Sequence, residues 1–263
     1  PERASSSRAS TDRIRIAVSG TYSSGKSTVS QILSVATGIP RTDALTAREI
    51  LADMLPGRRF QEMSATELMM LGLRRLEERV GGESSQPGSF ISDGSVLHEW
   101  AYAAARGQLG LTPGAPTLDR AIRRIRTAPY MPGLRRYVHA YGTVMKARAK
   151  QTYDVFLHLP LEFKMATDGH RPVSERYRGL AERLLLEVLD EIEMPYHVIG
   201  GTVEERVRQA VEVLDLPLVM PIEEAIDLGN QRLARSKDQL VERQFSERQK
   251  VGVLRRVRYA ARI

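Results

Sequence analysis

"SGTYSSGKST", residues 19–28, is the stretch of this chain that decides its fold. Its two glycines, Gly20 and Gly25, stand five positions apart, and Lys26 and Ser27 follow at once. This spacing is the G-x-x-x-x-G-K-[ST] pattern of a phosphate-binding loop, or P-loop. The apolar segment before it is typical of a short strand, and helical spacing of apolar residues begins near Gly25. The motif therefore has the strand–loop–helix context in which it can hold a phosphate group.

The predicted P-loop, residues 20–27, would hold the phosphates of a nucleotide. Its glycines allow a tight turn in which backbone N–H groups point at phosphate oxygens, and the following helix adds its positive end. In this motif Lys26 bridges the β- and γ-phosphates, and the Ser27 hydroxyl binds Mg²⁺. We therefore predict ATP and Mg²⁺ as cofactors, while no base-reading motif separates ATP from GTP. The predicted nucleotide-binding residues are Gly20, Ser23, Ser24, Gly25, Lys26, Ser27 and Thr28.

Further strands and helices alternate along the chain. Strand-like apolar segments lie at 90–95, 153–160 and 195–201, a very short one follows the first helix, and helical segments separate them. Such alternation is typical of a mainly parallel sheet that is covered by helices on both faces. The predicted fold class is α/β, a three-layer P-loop NTPase fold with a mainly parallel five-stranded sheet, a helical lid and a C-terminal helical extension.

Asp93 ends the strand segment at 90–95 and is followed by Gly94. Because ligands of such sheets sit beyond the carboxyl ends of the strands, this carboxylate should meet the P-loop. There it could act on Mg²⁺ through water, or accept a proton from an attacking hydroxyl. It could also cap the helix that begins near Ser95. We predict a catalytic or metal-binding role for Asp93, with Ser27 as the second metal-binding residue.

The polar segment TDGHRPVSERYR, residues 167–178, lies between a strand and a helix, where a mobile lid would be placed. Its arginines Arg171, Arg176 and Arg178 are suited to stabilising charge on a phosphoryl group and to excluding water on closure. A kinase needs such closure to keep water away from the γ-phosphate. A solvated arginine-rich loop is the alternative that the sequence leaves open.

Several segments together resemble the ribosylnicotinamide-kinase-like P-loop ATPases, which are relatives of the nucleoside and nucleoside-monophosphate kinases. The segments are GTYSSGKST, SDGSVLHEWAYA, YDVFLHLP, and DGHRPVSERYR followed by LLLEVLDEIEMPYHVIGG. The resemblance covers about residues 13–214. It implies transfer of the ATP γ-phosphate to a hydroxyl group of a small, often nucleoside-like, molecule.

The resemblance also implies roles for particular residues. Asp93 matches the acidic residue after the third strand, and Arg171 and Arg178 match the D-G-x-R…Y-R pattern of the lid. The region after the short second strand usually helps to hold the acceptor. The chain departs from many deoxynucleoside kinases at Gly94, where they carry a phosphate-binding arginine. The implied catalytic residues are Lys26, Asp93, Arg171 and Arg178, and the implied acceptor-binding residues are Asp43, Arg48 and Glu49.

The predicted domain organisation has three parts. Residues 1–12 form a flexible leader, residues 13–221 form the kinase-like domain with its lid at about 161–180, and residues 222–263 form a basic helical extension. The extension holds ten Lys and Arg against six Asp and Glu, in a chain whose net charge is +7. A basic helical end can bind an anionic membrane, nucleic acid or an acidic partner. We expect it to dock on the domain or on a twin subunit, which would allow a homodimer through the C-terminal helices.

Composition limits the remaining function classes. The chain has no cysteine, which excludes disulfides, thiolate metal sites and a cysteine nucleophile. It has no apolar run long enough to predict a membrane span. We expect a cytoplasmic protein that acts on a small-molecule acceptor. Nucleic acid is not expected as the main partner, because zinc-finger spacing and aromatic RNA-binding strand motifs are absent.

The predicted function is an ATP-dependent small-molecule kinase whose acceptor is a hydroxyl of a nucleoside-like or specialised metabolite. Two alternatives stay open. One is a regulatory P-loop ATPase or GTPase that changes its grip on a protein or nucleic-acid partner through the basic tail. The other is a kinase that acts on a hydroxyl within a nucleic acid. ADP release that depends on a small-molecule acceptor would favour the first prediction.

Overall fold

The computed structural model describes residues 13–55, 62–110, 128–163, 174–236 and 238. Within them lies one five-stranded sheet in which every pair of neighbouring strands is parallel. Its strand order is β2-β3-β1-β4-β5, which puts the strand before the P-loop at the centre. The strands are β1 (Arg15–Ser19), β2 (Arg41–Thr42), β3 (Phe90–Asp93), β4 (Val155–His158) and β5 (Tyr196–Val198). The predicted α/β class is confirmed.

Helices connect the strands and continue beyond the last one. A short 3₁₀ helix, Ala128–Tyr130, precedes α5. None of the described helices is both long enough and apolar enough to cross a membrane. The helices are α1 (Lys26–Thr37), α2 (Ala47–Met54), α3 (Ala65–Ser84), α4 (Val96–Leu109), α5 (Met131–Thr152), α6 (Glu175–Glu191), α7 (Val203–Val213) and α8 (222–236).

The three layers follow from the alternation of side chains along the strands. In β1, Ile16 and Val18 pack on one face against α1, α7 and α8. Ala17 points to the other face, where α4, α5 and α6 cover the sheet. Since a central parallel strand is buried on both faces, its run of apolar residues is continuous. The layered arrangement leaves the carboxyl ends of the strands as the edge at which a ligand site can form.

Two helices begin or end away from their predicted positions. The capping-box spacing of Ser64 and Glu67 and the apolar spacing after them predict a helix over 64–80, and the glycines that follow predict a linker at 81–89. The helix has this capping box, but it continues past Gly81 and Gly82 to Ser84, because glycines are tolerated inside a helix and the next proline is Pro87. Helix α6 begins at Glu175, inside the predicted lid, because the side chain of Ser174 caps it.

Three predictions fall wholly or partly on residues outside the described ranges. They are the leader at 1–12, residues 164–173 of the lid, and most of the basic extension after residue 236. Arg171 belongs to the second of these segments. The first part of the extension is described and is helical over 222–236, while the predicted division into three parts stays a prediction.

Candidate functional site

The P-loop runs from the carboxyl end of β1 to the start of α1. Gly20, Ser23 and Gly25 have φ angles of 136°, 58° and 93°. Positive φ angles in such a loop turn neighbouring N–H groups toward a common point. Gly25 is also the N-cap residue of α1, where no side chain accepts the N–H groups of the first turn. A phosphate group carries the negative charge and the acceptor oxygens that suit these donors.

Two buried arginines hold the backbone of the P-loop from outside. Arg178 Nε donates to the carbonyl oxygen of Tyr22 at 3.0 Å, and Arg206 Nη1 donates to that of Ser24 at 2.6 Å. Both arginines are only 1% exposed. Glu162 accepts a second hydrogen bond from Arg206 at 2.5 Å and balances its charge. Because these carbonyl groups face the arginines, the opposite side of the loop is left to its N–H groups.

His98 holds the first residue of the loop. Its Nδ1 accepts the N–H of Ser95 at 2.9 Å, which leaves Nε2 to donate to the carbonyl oxygen of Gly20 at 3.0 Å. Burial, together with the positive charges of Lys26 and Arg79, holds the pKa of His98 well below its usual range. The imidazole is therefore neutral at physiological pH and acts as a fixed hydrogen-bond donor. Sequence reasoning missed this role because a histidine in a helix has no motif of its own.

Two hydroxyl groups inside the loop are available to a ligand. Thr21 Oγ1 and Ser24 Oγ are buried and have no hydrogen-bond partner among the described residues. Buried hydroxyl groups nearly always find a partner, so orphaned ones indicate a missing ion, water or ligand. The residues present therefore fit the phosphates of a nucleotide.

Asp93 lies beside the P-loop, as the sheet topology requires. Its carboxylate accepts a hydrogen bond from Arg41 Nη2 at 2.7 Å and lies close enough to the side chain of Ser27 to interact with it. Burial raises the pKa of Asp93, but the charges of Arg41 and Lys26 and the polar contacts with Ser27 and Arg41 outweigh it, so the pKa lies below the usual value of 3.8. The structure thus places the two predicted metal-binding residues, Ser27 and Asp93, next to each other, with the carboxylate of Asp93 ionised.

Arg41 is the main residue of this cluster that sequence reasoning missed. It stands at the start of β2, and its guanidinium group contacts Ser30 at 3.0 Å, Asp43 at 2.9 Å and Asp93 at 2.7 Å. The only sequence signal for it was its place in the short second strand, whose carboxyl end adjoins that of β3. Arg41 fixes the orientation of the Asp93 carboxylate.

A cavity opens next to the P-loop between α2, α3, α4 and α5. Most of its wall is apolar or aromatic, and its main polar feature is a partly buried ion pair between Arg75 and Glu99, with Nε and Oε1 2.8 Å apart. Burial disfavours the charge of Arg75, but Glu99 more than compensates, so the pKa of this arginine is raised above its usual value. The cavity can therefore offer both hydrogen-bond donors and acceptors inside an apolar enclosure. The lining residues used below are Tyr22, Gly72, Arg75, Glu99, Tyr102 and Arg106.

Tyr22 joins the P-loop to this cavity. Although its backbone belongs to the loop, its side chain forms part of the cavity wall. Its ring stacks on that of Tyr102 with centroids 4.4 Å apart, and Tyr177 of α6 lies 6.3 Å from both. One residue thus belongs to both the phosphate cradle and the neighbouring cavity.

The residues implied to bind an acceptor lie near the cavity but are absent from its described lining. Asp43 is exposed and pairs with Arg41. Arg48 is exposed on α2, and Glu49 accepts the N–H of Thr46 at 2.7 Å in a capping box. Their acceptor-binding role stays a prediction. Most of the cavity wall is formed by residues of α3, α4 and α5.

The arginines implied to act in the lid differ in where the structure places them. Arg178 lies in the first turn of α6, buried against the P-loop backbone and the carboxylate of Glu175 at 2.8 Å. Arg176 is exposed on the same turn. Arg171 lies outside the described residues. In this conformation Arg178 holds the loop, and a direct role in phosphoryl transfer stays a prediction.

We expect Gly20→Ala to destabilise the fold by about 3 kcal/mol. A Cβ atom at Gly20 would lie 2.6 Å from Ser24 Oγ and 2.7 Å from the carbonyl oxygen of Leu159, and the φ angle of 136° is one that alanine rarely adopts. Gly81→Ala is the matched control, since a Cβ there meets nothing within 4 Å and alanine favours the helix by up to about 1 kcal/mol. Urea unfolding of both variants measures the two free energies. Equal stability of the Gly20→Ala variant and the wild type would contradict the described loop.

A comparison with models of protein families finds a match over most of the chain. The model of a family described as an AAA domain matches residues 15–206. A search of curated protein sequences finds no match.

Solved structures with a similar fold include three from different proteins. Deoxyadenosine kinase from M. mycoides with bound dATP is 16% identical, with a TM-score of 0.53 over 77% of this chain and 100% of that one. Thymidylate kinase from Candida albicans is 15% identical, with a TM-score of 0.50 over 80% of this chain and 96% of that one. NadR in complex with NR is 16% identical, with a TM-score of 0.48 over 79% of this chain and 53% of that one. The first two likenesses confirm the predicted P-loop kinase-like fold.

Proposed function

The chain belongs to the AAA domain family, and we propose that within it this protein is an ATP-dependent kinase with a small-molecule acceptor. The γ-phosphate of ATP would pass to a hydroxyl group of a nucleoside-like or specialised metabolite. The observation that carries the proposal is the place of Tyr22, which belongs to the phosphate cradle and also lines the adjoining cavity. A nucleotide in the loop and an acceptor in the cavity would then be neighbours, as direct phosphoryl transfer requires.

The nucleotide side of the site is formed by the P-loop. Its N–H groups and the Thr21 and Ser24 hydroxyls would bind the phosphate oxygens, and Lys26 would contact the phosphoryl group being transferred. Arg178 and Arg206 hold the loop carbonyls in place from behind. Such a preorganised set of donors lowers the barrier because it needs no rearrangement when charge develops.

Ser27 and Asp93 would hold Mg²⁺, which when bound neutralises charge on the phosphates. The lowered pKa of Asp93 makes its carboxylate a weak base. A metal-binding role through water therefore suits Asp93 better than removal of a proton from the acceptor hydroxyl.

The cavity favours an acceptor with an apolar or aromatic body and a few polar groups. Its aromatic wall can stack on a ring, while Glu99 can accept and Arg75 can donate hydrogen bonds. Glu99 neutralises Arg75, and Arg106 leaves the lining with one more positive than negative side chain. The structural neighbours are named for deoxyadenosine and thymidylate, which makes nucleosides and nucleoside monophosphates the first compounds to test.

The assay that tests the proposal compares ADP release in Mg-ATP alone with release in the presence of nucleosides and other hydroxylated metabolites. Release that requires an acceptor, together with a phosphorylated product, supports the kinase. Turnover without an acceptor that responds to a protein or a nucleic acid would instead favour the regulatory ATPase.

Gly72→Leu should block the acceptor and spare the nucleotide. Gly72 lines the cavity, and a Cβ atom there meets nothing within 4 Å, so a larger side chain can enter without a clash near the backbone. We expect the kcat/KM for the acceptor to fall at least about tenfold, since one to a few methylene groups in a pocket have effects of that size. Steady-state kinetics with the acceptor identified by the assay gives this value, and calorimetry gives the affinity for Mg-ADP.

Gly81→Leu is the control on the same helix. Gly81 is exposed and a Cβ atom there also meets nothing within 4 Å, so this variant changes the helix in the same chemical way but outside the cavity. An equal loss in both variants, or no loss in Gly72→Leu, would show that the acceptor binds elsewhere.

A further inference from the structure

The described part of the C-terminal extension packs closely on the P-loop helix. Ile222, Ala225 and Gly229 form the buried face of α8. A Cβ atom at Gly229 would lie 2.7 Å from Ile32 Cγ1 and 3.2 Å from its Cα, so the two helices approach each other at backbone distance. This contact fixes where the next turn of α8 lies relative to α1.

Beyond Gly229 the buried face of α8 continues at Leu233, which is half-buried. Arg232, Arg235 and Ser236 are exposed beside it. They form a polar groove with α1, and Arg41 also lines it. The groove is lined by Gln31, Ser34, Arg41, Arg232, Arg235 and Ser236.

The groove has an excess of positive charge. It has three arginines and no carboxylate among its described lining residues. Arg41 already pairs with Asp43 and Asp93, whereas neither Arg232 nor Arg235 forms an ion pair with a described carboxylate.

We propose that this groove is a second anion-binding site, distinct from the P-loop, which takes a small phosphate-bearing molecule. Guanidinium groups bind phosphate oxygens in pairs, and Arg232 and Arg235 stand three residues apart on one helix, where their side chains can reach one group. The hydroxyl groups of Ser34 and Ser236 and the amide of Gln31 supply further polar contacts. The groove is formed by a few turns of two helices, which suits a small molecule better than a long polyanion.

The proposed site is joined to the P-loop region through Arg41. The same guanidinium group lines the groove and donates to Asp93 at 2.7 Å. An anion in the groove would share Arg41 with that carboxylate, so binding there should respond to the state of the P-loop region. The existence of the groove site does not depend on the kinase activity.

Binding of inorganic pyrophosphate to the full chain, without ATP or acceptor, tests the proposal. Because the P-loop also binds phosphate groups, the calorimetric titration is made at fixed ionic strength in the Lys26→Ala background, which weakens that site, and only binding that depends on Arg232 and Arg235 is assigned to the groove. We expect pyrophosphate still to bind, and the pair Arg232→Gln and Arg235→Gln to weaken this binding at least about tenfold. The control pair, Arg135→Gln and Arg136→Gln, removes the same charge from exposed positions of α5 and should leave the affinity unchanged.

Three results would overturn the assignment. Equal weakening by the control pair would show that net charge alone attracts the anion. No pyrophosphate binding in the Lys26→Ala background would show that the P-loop is the anion site. Binding of a single-stranded oligonucleotide through Arg232 and Arg235 that is far tighter than that of pyrophosphate would assign the groove to nucleic acid.

Discussion

Lys26→Ala should lower acceptor phosphorylation by about 100- to 1,000-fold while the protein stays folded. Lys26 is the first residue of α1, and its Nζ donates to the carbonyl oxygen of Thr21 at 2.6 Å. It belongs to none of the buried apolar clusters, so the substitution removes little packing. In the proposed reaction its ammonium group stabilises charge on the phosphoryl group during transfer, and alanine cannot replace it. Product formation in a single turnover, at saturating Mg-ATP, measures the effect.

Lys146→Ala is the matched control for this substitution. Lys146 Nζ lies 2.5 Å from a carboxylate oxygen of Glu191 and joins α5 to α6, outside the P-loop. This variant loses a lysine and a salt bridge but should keep the transfer rate within a few-fold. Thermal melting checks that both variants are folded. Transfer by Lys26→Ala at the wild-type rate, or an equal loss in the control, would contradict the assigned role of Lys26.

The fold could be predicted because its signals are local. The P-loop spacing, the alternation of short apolar strands with helices, and the capping box of Ser64 and Glu67 each depend on residues within a few positions of one another. Together they determined the parallel sheet and the position of Asp93 at its carboxyl edge. The helix boundaries that differed depend on the position of Pro87, just after Ser84, and on the cap that Ser174 forms before Glu175, and neither feature changes the apolar periodicity.

The details of the site could not be predicted, because its contacts join residues far apart in the chain. Arg206 and the carbonyl of Ser24 are 182 positions apart, and Arg41 and Asp93 are 52 apart. A sequence shows an arginine in a helix or strand, but not whether its guanidinium group meets a loop carbonyl, a carboxylate or solvent. The direction of each arginine is decided by packing between layers.

The cavity was missed for a related reason. Its lining residues on α3 and α4, such as Gly72, Arg75, Glu99 and Tyr102, recur at helical spacing. That spacing is the same as for residues that pack into a core. Only the arrangement of four helices shows that this face surrounds a space, and that Tyr22 closes it from the side of the P-loop.

Asp93→Asn should lower acceptor phosphorylation by about 100- to 10,000-fold and weaken the dependence of the rate on Mg²⁺. Asparagine keeps the size of the side chain and can still accept the hydrogen bond from Arg41, which lies 2.7 Å from the carboxylate. It removes the negative charge that would attract the metal beside Ser27. Initial rates over a range of Mg²⁺ concentrations measure both effects, and Asp154→Asn is the control, because it breaks another Asp–Arg pair at the amino end of β4.

The pH dependence of the rates distinguishes a metal-binding role of Asp93 from that of a general base. Arg41 and Lys26 hold the pKa of Asp93 below 3.8, so the folded protein keeps this carboxylate ionised at all higher pH values. Its contribution to stability is present above the pKa of the unfolded chain and is lost only as the pH falls through the lower folded value. The ratio of wild-type to Asp93→Asn rates should therefore stay constant from about pH 5 to about pH 8. A ratio that rises through this range would show that Asp93 titrates there, and near-wild-type transfer by the variant would remove it from the metal site.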